Sequence, residues 1–291
     1  MILFNYLQLI RPYQHIKNIL IFPLFFLNYK SINFVSLYFY EMAILFLSFS
    51  LAAASVYCFN DCIDYENDKR HGFKKNRPIA SGRITVTRAS ILGFILALSS
   101  LFLSYEISSK FTYVIIFYLT LNLLYSLFLK KIIFLDIIAL TFFYLIRLCS
   151  PAVLDDVFLS YWFITFIFFL FLSLAILKRY CDFETLKYSI EIKTGIVRSY
   201  LLILGVSSAS IAVVIFSNYL NSSQFVSTFS GSFLLYLLIP LILYWFFNIW
   251  LHAIQGKITC DPILFALSNR QSLVSVTLSI LIVLSTLNVY F

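Results

Sequence analysis

Charge is the scarce ingredient of this chain. Asp, Glu, Lys and Arg make up 12% of its 291 residues, about half the share usual in soluble domains. Mean hydropathy is +0.94, and 62% of the residues are hydrophobic. That balance excludes a soluble globular enzyme, and apolar stretches recur from end to end, so the fold class is an all-α polytopic membrane protein. A cleavable leader is not expected: Arg11, Pro12, His15 and Lys17 precede the first apolar run, and no small-residue cleavage site accompanies it. Low-complexity segments and separable soluble domains are also missing, so residues 1–291 read as one transmembrane domain. Cysteine is sparse and odd in number (Cys58, Cys62, Cys149, Cys181 and Cys260), which favours reduced thiols over a disulfide framework. Cys58 and Cys62 stand one helical turn apart, but no companion His or Cys pair completes a zinc site.

What is present is a series of nine apolar spans, near 18–37, 41–60, 89–105, 111–129, 132–151, 160–177, 197–218, 231–251 and 272–291. The first is the weakest, being interrupted by Lys30 and polar residues. Of 21 Lys and Arg, only Lys30, Lys110 and Arg147 fall outside the N-terminus and the loops after the second, fourth, sixth and eighth spans. The positive-inside rule therefore puts the N-terminus and those loops in the cytoplasm. The formal charge of +8 follows from the same bias, and it sits beside the bilayer rather than on a soluble face, which argues against a nucleic-acid partner.

The most charged stretch is NDCIDYENDKRHGFKKNRPIASGR, residues 60–83. On a helix of about 100° per residue, Asp61, Asp64, Asp68 and Asn60 share an arc of about 100°, and Glu66 points away. Three carboxylates on one face repel one another unless a cation neutralises them. Oxygen ligands at the lip of a membrane cavity suit Mg²⁺, which keeps waters and takes further oxygens from phosphates. Lys69, Arg70, Lys74, Lys75, Arg77 and Arg83 follow directly and supply donors for phosphate. Acids for metal beside bases for phosphate read as a diphosphate site. A solvated juxtamembrane loop would account for the bases but not for an acidic stripe that continues a membrane helix.

With the run RPIASG at 77–82, the pattern N-D-x-x-D-x-x-x-D formed by Asn60, Asp61, Asp64 and Asp68 resembles the first aspartate-rich motif of the UbiA prenyltransferase superfamily. The resemblance implies a nine-transmembrane-helix UbiA-type bundle with cytoplasmic cap loops (about 61–88 and 178–196), acting on prenyl diphosphates with Mg²⁺. Members that prenylate aromatic rings carry a second D-x-x-x-D motif after the sixth helix. Here that loop opens KRYCDFE, with a different spacing and two leading cations, which suggests direct contact of Lys178 and Arg179 with a phosphate. The runs RPYQHIKN (11–18), LNLLYS (121–126), AILKRY (175–180) and DPILFAL (261–267), with Lys130, Asp136 and Arg147, resemble the decaprenyl-phosphate phosphoribosyltransferase branch. His15 stands where that branch commonly has Trp. Residues 200–250 carry the least of this likeness.

Independent of the family, Arg147 lies about 16 Å along a helix from Asp136, near the middle of the bilayer core, where a buried Arg usually marks a substrate path. A structural pairing with a carbonyl or acid is the alternative. Asn122, Tyr125 and Ser126 share a helix face and suit either the same cavity or ordinary interhelical hydrogen bonding. Lys17 stands at the cytoplasmic mouth, where a snorkelling lysine is equally apt. Asp182 suits a substrate contact or a salt bridge to Lys178 and Arg179.

The expected activity is that of a Mg-dependent membrane pentosyltransferase. It moves 5-phosphoribosyl from phosphoribosyl diphosphate to a polyprenyl phosphate and releases diphosphate, for the bacterial cell envelope, in the cytoplasmic membrane. Expected metal ligands and catalytic residues are Asp61, Asp64 and Asp68. Expected substrate contacts are Lys17, Asn60, Lys74, Arg77, Asn122, Tyr125, Arg147, Lys178, Arg179 and Asp182. The lipid phosphate is already anionic at neutral pH, with a second pKa near 6, so no strong general base is needed and no Ser/His/Asp or Cys/His constellation is found. The rivals are a UbiA-type transfer of a prenyl group to an aromatic acceptor and a non-catalytic polyprenyl-phosphate carrier. A homo-oligomer stays open.

Overall fold

The computed structural model describes residues 2–22, 35–70, 72, 74–154, 159–185, 191–222, 225, 233–258 and 261–287. Among them every regular element is helical: with no water to satisfy free backbone groups, an apolar chain of this kind closes its hydrogen bonds within helices. The α-helices are α1 (Ile2–Ile10), α2 (Val35–Ile63), α3 (Tyr65–Arg70), α4 (Val86–Ile107), α5 (Ser109–Leu127), α6 (Ile133–Cys149), α7 (Tyr161–Thr185), α8 (Glu191–Leu220), α9 (Leu238–Ile254), α10 (Pro262–Ser268) and α11 (Arg270–Leu287). Short 3-10 turns cover Lys74–Asn76, Leu129–Lys131, Ser150–Val153 and Phe233–Leu237, and a longer one covers Pro12–Ile21.

Seven helices among the described residues are long and apolar enough to cross a membrane, and α10 with α11, bent by 79°, counts as an eighth if taken as one span. The first expected span, 18–37, lies mostly outside the described residues. Its start is 3-10 helix rather than α-helix, with Lys17, Asn18 and Ile21 buried. In a three-residue turn, positions 18 and 21 fall on one side, which turns Asn18 inward. The expected loop 178–196 is shorter than its charge suggests. α7 runs on to Thr185 and α8 starts at Glu191, because KRYCDFET contains neither Pro nor Gly to stop a helix.

The chain forms two compact units, Met1–Ala139 with Ile146–Phe158, and Leu140–Leu145 with Leu159–Phe291. In the first, α2 is the hub: α1, the Pro12–Ile21 segment, α4 and α5 all pack on it. The α2–α4 contact inverts the soluble pattern. Ala89, Gly93, Ser100 and Ser104 of α4 are buried, whereas Ile91, Phe94, Leu98, Phe102 and Tyr105 are exposed. Small residues let the backbones approach. Ser55 Oγ donates to the Gly93 carbonyl (2.7 Å) and Ser100 Oγ to that of Ser48 (2.7 Å). One residue, Ser108, ends α4 in extended conformation and caps α5 by accepting from the Lys110 N–H.

In the second unit α7 packs mainly on α8, and α9 on both α8 and α11. A close approach is built at Gly205. Ser173 Oγ donates to its carbonyl (2.9 Å) and accepts from Trp250 Nε1 (3.1 Å), and the indole lies edge-on to Tyr180. A Cβ at Gly205 would overlap the Trp250 ring. Gly205→Val should therefore lower the thermal midpoint of the protein in detergent, for a cost of about 1–3 kcal/mol. An unchanged midpoint would contradict this packing.

Candidate active site

The acidic stripe lies at the end of α2. The Asp64 N–H donates to the Asn60 carbonyl (2.9 Å) and the Asp68 N–H to that of Asp64 (2.8 Å). The helical period thus carries through the turn at Asp64 into α3, keeping the three carboxylates in step. Asp61 and Asp68 are almost wholly buried.

Each carboxylate meets a base. Asp61 Oδ1 accepts from Arg11 Nη2 (2.6 Å) and from Arg77 Nη1 (3.1 Å), and the same Arg77 nitrogen donates to Asp68 Oδ2 (2.7 Å). Lys130 Nζ donates to Asp64 Oδ1 (2.5 Å) and more loosely to Asn60 Oδ1 (3.4 Å). Breaking buried ion pairs of this kind typically costs about 3–5 kcal/mol, since one charge is left uncompensated. Asp61 Oδ2 is buried without a hydrogen-bond partner, a state that costs an ionised oxygen about 1–3 kcal/mol or more.

Two local structures hold the bases. Arg77 starts RPIASG, a tight turn in which Ser81 N–H bonds to Arg77 O and Gly82 N–H to Ile79 O (both 2.9 Å). Gly82 takes φ +75°, which a side chain would resist. Ile79 and Ile84 are buried with Leu9, Cys58 and Ala89, so the turn is anchored to α1, α2 and α4. Arg83 fastens it from outside, donating to Gln8 Oε1 (2.9 Å), Asn5 Oδ1 (3.2 Å) and the Asn76 carbonyl. Arg11, between α1 and the 3-10 segment, adopts φ 49°, ψ 64°, the only non-glycine residue with positive φ among those described. Such a conformation costs about 1–3 kcal/mol and persists only where surrounding contacts fix it. Its guanidinium also lies over the Tyr57 ring, 5.0 Å from the centroid.

Deeper along the same unit is a second cluster. Arg147 Nε donates to Asn18 Oδ1 (2.9 Å) and its Nη2 to the Tyr118 hydroxyl, whose ring it also overlies. Asn18 Nδ2 in turn donates to Ser50 Oγ (2.9 Å). Asn122, expected to line the same cavity or to bond between helices, donates to the Tyr118 carbonyl of its own helix (2.7 Å). The Tyr125 hydroxyl donates to Asp136 Oδ1 (2.8 Å). His15 is half-buried, with a ring nitrogen 3.1 Å from the Ile10 carbonyl. Burial lowers its pKa, the Ile10 carbonyl opposes this and the Arg147 charge adds to it.

The first unit thus brings together Asn60, Asp61, Asp64, Asp68 and Arg77 at one end; Arg147 lies further in, Asn122 bonds within α5, and Tyr125 pairs with Asp136 across the turn that carries Lys130. Lys17 is buried and Lys74 exposed. Lys178, Arg179 and Asp182 belong to the second unit, where Arg179 Nη1 pairs with Asp182 Oδ2 (2.7 Å) and Lys178 with Asp261 Oδ2 (3.6 Å). Asp261 also caps α10 through the Ile263 N–H (3.2 Å). Arg11, Lys130 and Tyr118 escaped the reading of the sequence as site residues. Arg11 and Lys130 lay in runs that resemble the phosphoribosyltransferase branch, and Tyr118 is one turn before Asn122 on the face already singled out, a usable signal.

The donor set suits a hard divalent cation. Among the described residues no three acidic, His or Cys side chains close around one point, because each aspartate is turned to a base. Mg²⁺ rarely needs such a cage. It binds through one or two carboxylates, waters and substrate phosphates, and the unpartnered Asp61 Oδ2 is an oxygen for which a cation would supply the missing partner.

Residues 20–270 match the UbiA prenyltransferase family. The chain is 32% identical over 221 residues to decaprenyl-phosphate phosphoribosyltransferase of Mycolicibacterium smegmatis, covering 72% of this chain and 67% of that protein. It is 29% identical over 275 residues to an uncharacterised protein of Sinorhizobium fredii, covering 92% of this chain but 53% of the relative, so it spans about half of that protein's length. Its fold is similar to a UbiA homologue from Archaeoglobus fulgidus bound to DMAPP and Mg²⁺, with a TM-score of 0.71, 16% identity and coverage of 96% and 98% of the two chains.

Tyr118→Phe removes an acceptor from the buried Arg147 guanidinium and should lower stability by about 1–3 kcal/mol. Thermal unfolding in detergent checks it, and a midpoint equal to that of the unsubstituted protein would show the hydroxyl to be dispensable.

Proposed function

Because the chain belongs to the UbiA prenyltransferase family, we propose that it transfers 5-phosphoribosyl from phosphoribosyl diphosphate to a polyprenyl phosphate, releasing diphosphate. The observation that carries this reading is the interleaving of oxygen donors and cations at the end of α2: Asp61, Asp64 and Asp68 within hydrogen-bond reach of Arg11, Arg77 and Lys130. The likeness to the mycobacterial phosphoribosyltransferase supports the sugar donor. Transfer of a prenyl group to an aromatic ring is less well supported, since KRYCDFE has no D-x-x-x-D spacing and its Arg179 and Asp182 pair with each other.

An oxygen of the lipid phosphate attacks the anomeric carbon. The bond from that carbon to the diphosphate oxygen breaks, and diphosphate leaves with the electron pair. The nucleophile is already anionic, so the chain's task is to position two anions and stabilise the leaving group. Asp61, Asp64 and Asp68, with Asn60, would hold Mg²⁺, which when bound neutralises charge on the diphosphate. Lys17, Lys74 and Arg77 face phosphate oxygens. Asn122, Tyr125 and Arg147 line the path of the lipid phosphate. Lys178 and Arg179 are the cations of the second unit proposed for phosphate, and Asp182 pairs with Arg179. The N-terminus and the cap loop 61–88 face the cytoplasm of a bacterial cell, and the product feeds envelope polysaccharide.

The test is incubation of the purified protein with Mg²⁺, polyprenyl phosphate and phosphoribosyl diphosphate. Diphosphate and a phosphoribosyl lipid should appear only with both substrates. Chelation should abolish the reaction, and Asp64→Asn should slow it by about two orders of magnitude, the usual loss on removing one charge-stabilising group. Turnover of a prenyl diphosphate with an aromatic acceptor in place of these substrates would transfer the protein to the rival reaction. For orientation, Lys75→Cys in a cysteine-free background should react with an impermeant maleimide only from the cytoplasmic side, and Lys110→Cys only from the opposite side.

A further inference from the structure

We infer that Arg11 is a positioning residue for the metal site: it takes one oxygen of Asp61 so that the other is presented to the cation. The inference rests on the metal-holding role proposed above for Asp61. Two guanidiniums converge on a single oxygen of this carboxylate, Arg11 Nη2 at 2.6 Å and Arg77 Nη1 at 3.1 Å from Oδ1. Oδ2 of the same group is buried and has no hydrogen-bond partner, on a residue with 2% relative exposure. A carboxylate satisfied only by solvent or by chance surface cations would not divide its oxygens so completely.

Arg11 is itself over-determined in a way that a passing ion pair does not require. Its backbone sits in the left-handed region, its N–H bonds to the Leu7 carbonyl and its own carbonyl accepts from the Gln14 N–H. Its guanidinium rests on Tyr57, one helical turn before Asp61 on α2, so two contacts refer the charged end of the side chain to the helix that carries the carboxylate. Arg77, held by RPIASG, extends the restraint to Asp68 Oδ2 through the same nitrogen. The pair therefore fixes the rotation of two carboxylates from outside the metal's own ligand set, as outer partners commonly do.

The experiment measures Mn²⁺ affinity by electron paramagnetic resonance, in detergent, with inorganic diphosphate present and no lipid or sugar, so that no turnover enters the readout. Arg11→Gln should weaken Mn²⁺ binding about 10- to 100-fold, the range for loss of an outer partner, and Arg11→Lys should recover part of that loss. Tyr57→Leu, which removes the stack but no charge, should weaken binding in the same direction, and it keeps the question open to measurement should Arg11→Gln fail to fold. Folded Arg11→Gln protein that binds Mn²⁺ as well as the unsubstituted chain, or more tightly, would overturn the inference and make Arg11 a bystander or a competitor of the metal. Failure of the unsubstituted protein to bind Mn²⁺ would overturn both this inference and the metal reading. If Mn²⁺ binding behaves as expected while no phosphoribosyl transfer is detected, the proposed substrates fall and the role of Arg11 stands.

Discussion

An ionised carboxylate cannot be buried at the end of a membrane helix unless a cation is brought to it, and much of the first unit is arranged around meeting that demand. Asp61 and Asp68 are buried, and one nitrogen of Arg77 bridges them. To put Arg77 there, the chain after α3 must double back in a turn tight enough to need Gly82 in the left-handed region. To stop that turn from swinging away, Ile79 is buried against α1, α2 and α4 and Arg83 reaches across to Asn5 and Gln8. Docking α1 in this way also delivers Arg11 to Asp61.

The cluster around Arg147, deeper in the unit, follows the opposite strategy. Around Arg147 the partners include an amide and a phenol, Asn18 and Tyr118, whose dipoles solvate the guanidinium. Such partners spread its charge, whereas the carboxylates at the mouth cancel that of their bases. Two kinds of environment for anions are thereby separated along one helical unit: one rich in ion pairs, the other holding the Arg147 guanidinium beside Asn18 and Tyr118, where Phe49 lies edge-on to Tyr118.

Much of this was legible in the sequence because it is local. Apolar runs placed eight of the nine expected spans on helices that the structure describes, and the helical period put Asp61, Asp64 and Asp68 on one arc, which the unbroken Asn60–Asp64–Asp68 hydrogen bonds preserve. What escaped is non-local. Arg11 lies 50 residues from Asp61 and Lys130 lies 66 from Asp64, separations over which periodicity holds no information. The bases just downstream of the acids looked interchangeable, yet Arg77 bridges carboxylates while Arg83 ties a loop to α1, a division set by which way the Gly82 turn points each side chain. The 3-10 course of Pro12–Ile21 was equally hidden, since composition does not distinguish it from the start of a span.

The place of Arg11 in the chain also bears on how the protein is made. Arg11 emerges from the ribosome 50 residues before Asp61 and Arg77 only 16 after it. When the end of α2 first meets the bilayer surface, one counterion has already been synthesised and the second follows within a single turn-containing loop. Asp61 thus has nascent-chain partners on both sides in time, whereas Asp64 waits for Lys130, 66 residues later and beyond α4 and α5.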